Sequence, residues 1–374
     1  MKWSFKLGRF LGIDVFVHFT FMVLLCFIGI AHWVAGQSFA AAFSGVLFFG
    51  CLFACVLLHE YGHALMARYF GIGTKDITLL PIGGVARLER IPDKPSQELW
   101  VALAGPAVNV VIVGLLCIWL SLTSAWQPLN SLGITEGNLV ERLLVANVFL
   151  VLFNMLPAFP MDGGRVLRAL LAMRLEYSRA TQIAANLGKG MAIVLAVFGL
   201  VSNPLLILIA VFVWIGASQE AMAAQFKSAV AGALVREAAL TNFTTVPSTA
   251  SLRDLTSILL SESQQDFPVV ENGRVVGILV HAEILAAIQS RPAETPVSAI
   301  MRTEFDTAEE NSPLDELLTH LRYEGGCAIP VMGQGNLVGL LTAENLNEYS
   351  IIRAATRSSS QPPPLPIVRH SLSL

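Results

Sequence analysis

The chain has 374 residues, 54% of them hydrophobic and only 14% charged, with a formal net charge of −3. That composition is too apolar for an ordinary soluble domain. The net charge decides nothing about anionic lipid or nucleic acid, but no basic patch interleaved with aromatics appears, so no nucleic-acid partner is expected. The apolar character fills residues 1–225, and a more polar segment follows. The expected plan is a membrane domain joined to a soluble one. Cys26, Cys51, Cys55, Cys117 and Cys327 form no C-x-x-C pair and suggest no disulfide framework.

Met1–Ile13 is basic and then apolar, without a small-residue cleavage site, so it is read as leading into a retained first transmembrane helix. Apolar runs follow at Leu11–Val34, Ala40–Phe70, Leu99–Leu122, Leu139–Leu156, Gly190–Val201 and Leu205–Ala221. A helix needs about 20 residues to cross the hydrocarbon, and about six spans are expected, the last two meeting at the turn Ser202-Asn203-Pro204. Lys2, Lys6 and Arg9, then Arg68–Lys94, then Arg165–Arg179 fall in alternate connections, while the other connections carry no Lys or Arg. That bias places both the N-terminus and the C-terminal domain in the cytoplasm of a multi-pass protein of the cell membrane. His18 lies in the first run, facing either a site cavity or a neighbouring helix.

The second run carries three ionisable residues in five positions: His59, Glu60 and His63. Each costs about 2.5–3.5 kcal/mol at the bilayer centre, so the group needs a compensating reason. Four residues apart on a helix, the two imidazoles share a face and can reach one tetrahedral zinc. Glu60 then stands beside the metal as a general base, the arrangement of H-E-x-x-H zinc peptidases. Cys51 and Cys55 share the stripe but sit too many turns away and read as packing residues.

Between the second and third runs, β-branched and apolar residues flank Pro81 and Gly83-Gly84, which predicts a strand pair. Its functional reading is an edge that takes up an extended peptide by main-chain hydrogen bonds. The third run opens with Gly105-Pro106 and places Asn109 in apolar surroundings, where it is expected to bond between helices. Pro157, Pro160 and Gly163-Gly164 break the fourth helix at its cytoplasmic end. The break delivers Asp162 at the depth of His63, either as third zinc ligand or as an N-cap. Asn154, about two turns earlier, is a candidate donor to a developing oxyanion or an interhelix bond.

These pieces together resemble the site-2 protease family of intramembrane zinc metalloproteases: His59-Glu60-Tyr61-Gly62-His63, the Gly83-Gly84 hairpin, Gly105-Pro106 with Asn109, and Asn154-x-x-Pro157-x-x-Pro160-x-Asp162-Gly163. The opening Leu7–Ile13 with Val17-His18 resembles the prokaryotic subgroup that carries a regulatory C-terminal tail. The resemblance implies one zinc per chain on His59, His63 and Asp162, Glu60 as catalytic base, and a transmembrane protein as substrate, cleaved at a transmembrane or membrane-proximal peptide bond near the cytoplasmic face.

The tail contains a repeat. Phe267-Pro268-Val269-Val270 matches Ile329-Pro330-Val331-Met332, Gly273 matches Gly335, and Leu252, Leu255 and Leu259 match Leu314, Leu317 and Leu321. Each copy reads helix, strand, turn, strand, helix, and one copy cannot bury its own face. The pair resembles tandem CBS domains, 240–290 and 297–353, of α/β type. That resemblance implies an adenine nucleotide such as ATP as ligand and association into a homo-oligomer, against a purely structural module. The nucleotide pattern T-x-x-D is eroded to Thr342 with Asn345 and to Val280 with Glu283. Residues 356–374, rich in Pro and Ser, are expected to be disordered. The competing reading is a CBS-regulated transporter or channel, which would call for inverted repeats and paired half-helices. The membrane part has one broken helix and no self-similarity.

Overall fold

The computed structural model describes residues 3–81, 83–90, 92, 94–123, 138–315, 317 and 328–359. The chain divides into two compact units, Met1–Met222 and Ala223–Leu374.

The first unit opens with strands β1 (Ser4–Phe10) and β2 (Ile13–His18). The run from Leu11, expected as one helix, is therefore divided. Ile13, Val15 and Val17 are buried in strict alternation with Asp14, Phe16 and His18, a strand period inside an apolar stretch. His18 closes the strand and caps the next helix, its Nδ1 accepting from the Thr20 amide at 3.3 Å, so its ring is spent locally. β3 (Thr74–Leu80) and β4 (Gly83–Leu88) form the anticipated hairpin. They join a four-stranded sheet of order β1-β2-β3-β4, in which β2 and β3 run parallel and the other neighbours antiparallel. The hairpin was legible from its turn residues; its parallel union with the N-terminal strands was not.

The long helices are α1 (Phe19–Gly36), α2 (Phe39–Tyr69), α3 (Pro95–Leu122), α6 (Tyr177–Val201) and α7 (Leu205–Val230). All five are long and apolar enough to span a bilayer, and each has most of its apolar window unburied by protein. Helices apolar all round and uncovered by protein are helices made for lipid. The sixth apolar helix, α4 (Leu139–Asn154), has only 16 residues. At 1.5 Å per residue it is about 24 Å long, short of the roughly 30 Å of hydrocarbon. Its Asn138–Glu141 capping box fixes one end. At the other end, residues 155–161 run as turns before α5 (Asp162–Ala172) begins.

The second unit holds the repeat. It contains α8 (Val235–Ala238), then α9 (Leu252–Ser261), α10 (His281–Ser290) and α11 (Ala343–Ser359). One three-stranded sheet is β5 (Val246–Pro247), β6 (Phe267–Glu271) and β7 (Arg274–Leu279). The other is β8 (Ala308–Glu309), β9 (Ile329–Gly333) and β10 (Asn336–Leu341). In both, a short strand lies parallel to the first arm of a hairpin. The hairpin turns, Asn272-Gly273 and Gln334-Gly335, both take positive φ, as a two-residue turn between right-twisted strands demands. Leu252, Leu255, Phe267 and Val269 anchor one core; Leu314, Ile329, Val331 and Leu341 anchor the other. Val235 and Ala238, ahead of the first copy, pack into the core of the second. Leu321 and Cys327 lie outside the described residues. So does most of the stretch read as a disordered tail: its first residues, through Ser359, extend α11, where Ala354 and Ala355 favour helix.

Candidate metal centre

α2 carries His59, Glu60 and His63 on the turns nearest its C-terminal end, and α3 lies alongside. Three positions of α3 at four-residue spacing form the opposing face. The Val101 carbonyl accepts from His63 Nδ1 at 2.7 Å. The Asn109 side-chain oxygen accepts from His59 Nδ1 at 2.6 Å. Gly105, between them, leaves the two rings room. Each imidazole is thus held by its Nδ1, and both Nε2 atoms face one point, 3.0 Å apart. His59 and His63 are 7% and 6% exposed.

Asp162 completes the cluster. It is the first residue of α5, and the N-cap is Met161, so the carboxylate is not spent on capping. Its Oδ2 lies 3.2 Å from each Nε2. With both Nδ1–H groups donating elsewhere, the two Nε2 atoms carry lone pairs. With both rings neutral, two lone pairs and a buried carboxylate oxygen converge within 3.2 Å, a donor set that suits a cation held between them. Ligand atoms of a tetrahedral zinc with bonds of 2.0–2.1 Å are roughly 3.3 Å apart, close to the spacing found. The residues fit such an ion. Among the described residues this is the group of three that could hold a metal.

Glu60 points toward the sheet. Its Oε2 accepts from the Ala86 amide of β4 at 3.3 Å. A Cβ at Gly84 would stand 2.5 Å from Glu60 Cγ, so the second glycine of the hairpin makes space for this side chain. Asn154 ends α4, half-buried, and its side chain has no hydrogen-bond partner among the described residues. Cys51 packs beside the Phe48 cluster, away from the histidines.

A second cluster pins α5. Arg168 is 3% exposed and donates from Nε to Glu98 Oε1 of α3 and from Nη1 to Glu220 Oε2 of α7, both at 2.7 Å. Its guanidinium also lies over the rings of Phe159 and Tyr177. None of these was singled out from the sequence, where Arg168 counted only as a loop charge. The available signal was an acidic residue, Glu98, at the head of an apolar helix. Likewise the Val101–Gly105–Asn109 stripe was visible as spacing, but nothing in the spacing said what it faces.

In the second unit, Thr342 and Asn345 line a cleft of about 710 Å³ with Asn242, Thr244, Gln264 and Asp266. Thr342 and Asn345 also bond to each other at the start of α11. Glu283 is not part of that cleft. It stands in the first turn of α10 and pairs with Arg302 Nε at 2.6 Å, while the cleft takes its lining from Glu262–Asp266 of the first copy and from Leu340 and Thr342–Asn345 of the second. The three candidates for nucleotide contact therefore do not share one site.

A helix-borne pair of histidines, an adjacent glutamate, and a carboxylate from a broken helix, all inside a unit of lipid-suited helices, define a membrane-embedded metallopeptidase. The sequence profile of peptidase family M50 matches residues 47–136 and 130–198, and that of the CBS domain matches 235–290 and 297–351. The zinc metalloprotease MJ0392 of Methanocaldococcus jannaschii is 37% identical over 281 residues, which is 75% of this chain and 78% of that protein. Rip3 of Mycobacterium tuberculosis, provisionally named a zinc metalloprotease, is 27% identical over 92% of both chains. The solved site-2 protease from Methanocaldococcus jannaschii is 38% identical and covers 59% of this chain and 95% of that one, with a TM-score of 0.44. The chain belongs to peptidase family M50, the site-2 proteases, and is a multi-pass metallopeptidase with tandem CBS domains. The names of its relatives imply zinc as the metal.

Proposed function

We propose that this chain hydrolyses a peptide bond within or beside the transmembrane segment of a protein substrate, near the cytoplasmic face, and so performs regulated intramembrane proteolysis. One observation carries the reading: Nε2 of His59, Nε2 of His63 and Oδ2 of Asp162 converge within 3.0–3.2 Å, with Glu60 next in sequence to His59. These three residues are the ligands of one zinc per chain. When bound, zinc supplies the Lewis acidity that makes water a nucleophile at neutral pH and polarises a scissile carbonyl.

The remaining work falls to side chains and backbone. Glu60, held through Oε2 by the Ala86 amide, takes the proton of the attacking water and delivers it to the leaving amine. Asn154, with its amide uncommitted, donates to the oxyanion. A helical substrate hides its carbonyls, so the segment must first unwind. β4 is an edge strand, and an extended peptide adds to it beside Gly83 and Gly84 by main-chain hydrogen bonds. The turns at 155–161 sit where an unbroken helix would exclude water, and irregular backbone at membrane depth is tolerated where protein or a wet cavity covers it. The positive-inside bias supports cytoplasmic termini and a cytoplasmic CBS pair.

The CBS pair is the regulatory element, and the cleft beside Thr342 and Asn345 is its ligand site. Glu262, Asp266 and Glu344 line it, and among the described residues no Lys or Arg does. That charge disfavours a triphosphate and favours an adenine ligand with little or no phosphate. A homo-oligomer formed through the CBS domains belongs to the same reading. A transporter or channel draws no support from the family. The deciding assay co-expresses a tagged single-span protein with the wild type or with Glu60→Ala. Cleavage by the wild type alone, responsive to adenine ligand, is expected; equal cleavage by both would reject the base.

A further inference from the structure

The mechanism accounts for His59 and Asn109 but not for Asn147, a second amide buried completely in the apolar interior, on α4. A buried amide is costly unless its hydrogen bonds are made. Those of Asn147 form a chain with one direction. Its Nδ2 donates to the Leu143 carbonyl at 2.8 Å. Its Oδ1 therefore faces Asn109 and accepts from Asn109 Nδ2 at 2.8 Å. Asn109 Oδ1 in turn faces His59 Nδ1 at 2.6 Å. The Cys55 sulfur, a weak acceptor, is also within reach of the Asn147 amide.

The direction is set at the far end. A backbone carbonyl can only accept, so the Leu143 oxygen fixes which way the Asn147 amide turns. The Asn147 oxygen fixes which way the Asn109 amide turns. An isolated Asn109 could present either its oxygen or its NH2 to His59. Only the oxygen obliges the ring to carry its hydrogen on Nδ1 and leaves Nε2 free as a ligand. The opposite orientation would place the hydrogen on Nε2, where a metal cannot bind.

We infer that Asn147 is a positioning residue for the metal centre: through Asn109 it selects the His59 tautomer that can bind zinc. The inference rests on His59 being a zinc ligand. It assigns to α4, which otherwise delivers the chain to the break before Asp162, a second and independent hold on the site. A group that hydrogen-bonds a ligating histidine changes metal affinity by about 10–100-fold when removed, and Asn147 acts by fixing the orientation of such a group, Asn109.

The test is zinc affinity of the full-length protein in detergent, by competition with a chromophoric chelator, with cobalt absorption as a second readout of ligand geometry. Asn147→Leu is expected to weaken zinc binding by about 10-fold or more. Asn147→Asp, whose protonated carboxyl reproduces both bonds, retains wild-type affinity. Asn109→Asp presents an oxygen in either orientation, so Asn109→Asp/Asn147→Leu recovers what Asn147→Leu loses. A residue that merely packs would not be rescued from Asn109. Wild-type zinc affinity in Asn147→Leu, or a double variant as weak as Asn147→Leu alone, overturns the inference. Should Asn147→Leu not fold, Asn147→Ala is read in the same way. His59→Ala separates the two levels: if it binds zinc normally, the ligand assignment itself fails.

Discussion

A methyl group on Gly105 would lie 2.2 Å from His63 Nε2, and 2.7 Å from the matching nitrogen of His59. No heavy-atom contact of that length survives, so Gly105→Ala must push the rings apart or drive α3 away from α2. Either movement spoils the convergence of donors. Zinc affinity is expected to fall by about 10–100-fold, with cleavage falling in step. Gly114→Ala, nine residues along the same helix where an added carbon meets nothing within 4 Å, should bind zinc as the wild type does. Metal content of the two purified variants, measured side by side, checks the prediction.

Glu60 touches β4 but none of the three converging donor atoms. Glu60→Gln should therefore keep full zinc occupancy and lose about 10²–10⁴-fold in cleavage rate, the usual worth of a general base. Loss of zinc alongside activity would place Glu60 among the ligands instead.

Asp162 supplies the only carboxylate of the cluster. Asp162→Ala should reduce zinc content, whereas Asp162→Glu, one methylene longer, should bind zinc with altered cobalt spectra. Chelator treatment of the wild type should abolish cleavage, and stoichiometric zinc should restore it. Unchanged metal content in Asp162→Ala would dismiss the ligand role.

Arg168 stands between two carboxylates from other helices while it is itself buried. Arg168→Met leaves Glu98 charged and without its partner, and is expected to destabilise the protein by about 3–5 kcal/mol. Replacing the cluster together, as Glu98→Leu/Arg168→Met/Glu220→Leu, should cost less than the single change. Thermal unfolding in detergent orders the two variants.

The carboxylates of the second-unit cleft give a ligand prediction. Adenosine should bind more tightly than ATP by calorimetry, and Glu262→Gln/Glu344→Gln should narrow the gap by strengthening ATP. Tighter ATP binding in the wild type would reverse the charge argument.

Much of this protein was readable from residue order because the relevant signals are local. Ionisable groups inside an apolar run announce a site, since lipid makes idle charge expensive. The four-residue step from His59 to His63 fixes a shared helix face without further information, and a repeat at constant offset announces the paired sheets. Family membership followed from such motifs. Tertiary structure decided what those local signals could not reach. Ile13–His18 became a strand because β3 lay ready to pair with it, although its place in a long apolar run suits a helix. Glu283 and Asn345 occupy equivalent places in two copies, yet only Asn345 reaches the cleft. The face of α3 that holds both imidazoles, the grip of Glu98 and Glu220 on Arg168, and the amide chain from Leu143 to His59 join residues dozens of positions apart. Each exists only when separate helices are packed, because a hydrogen bond is specified by the meeting of two partners and a sequence displays them one at a time.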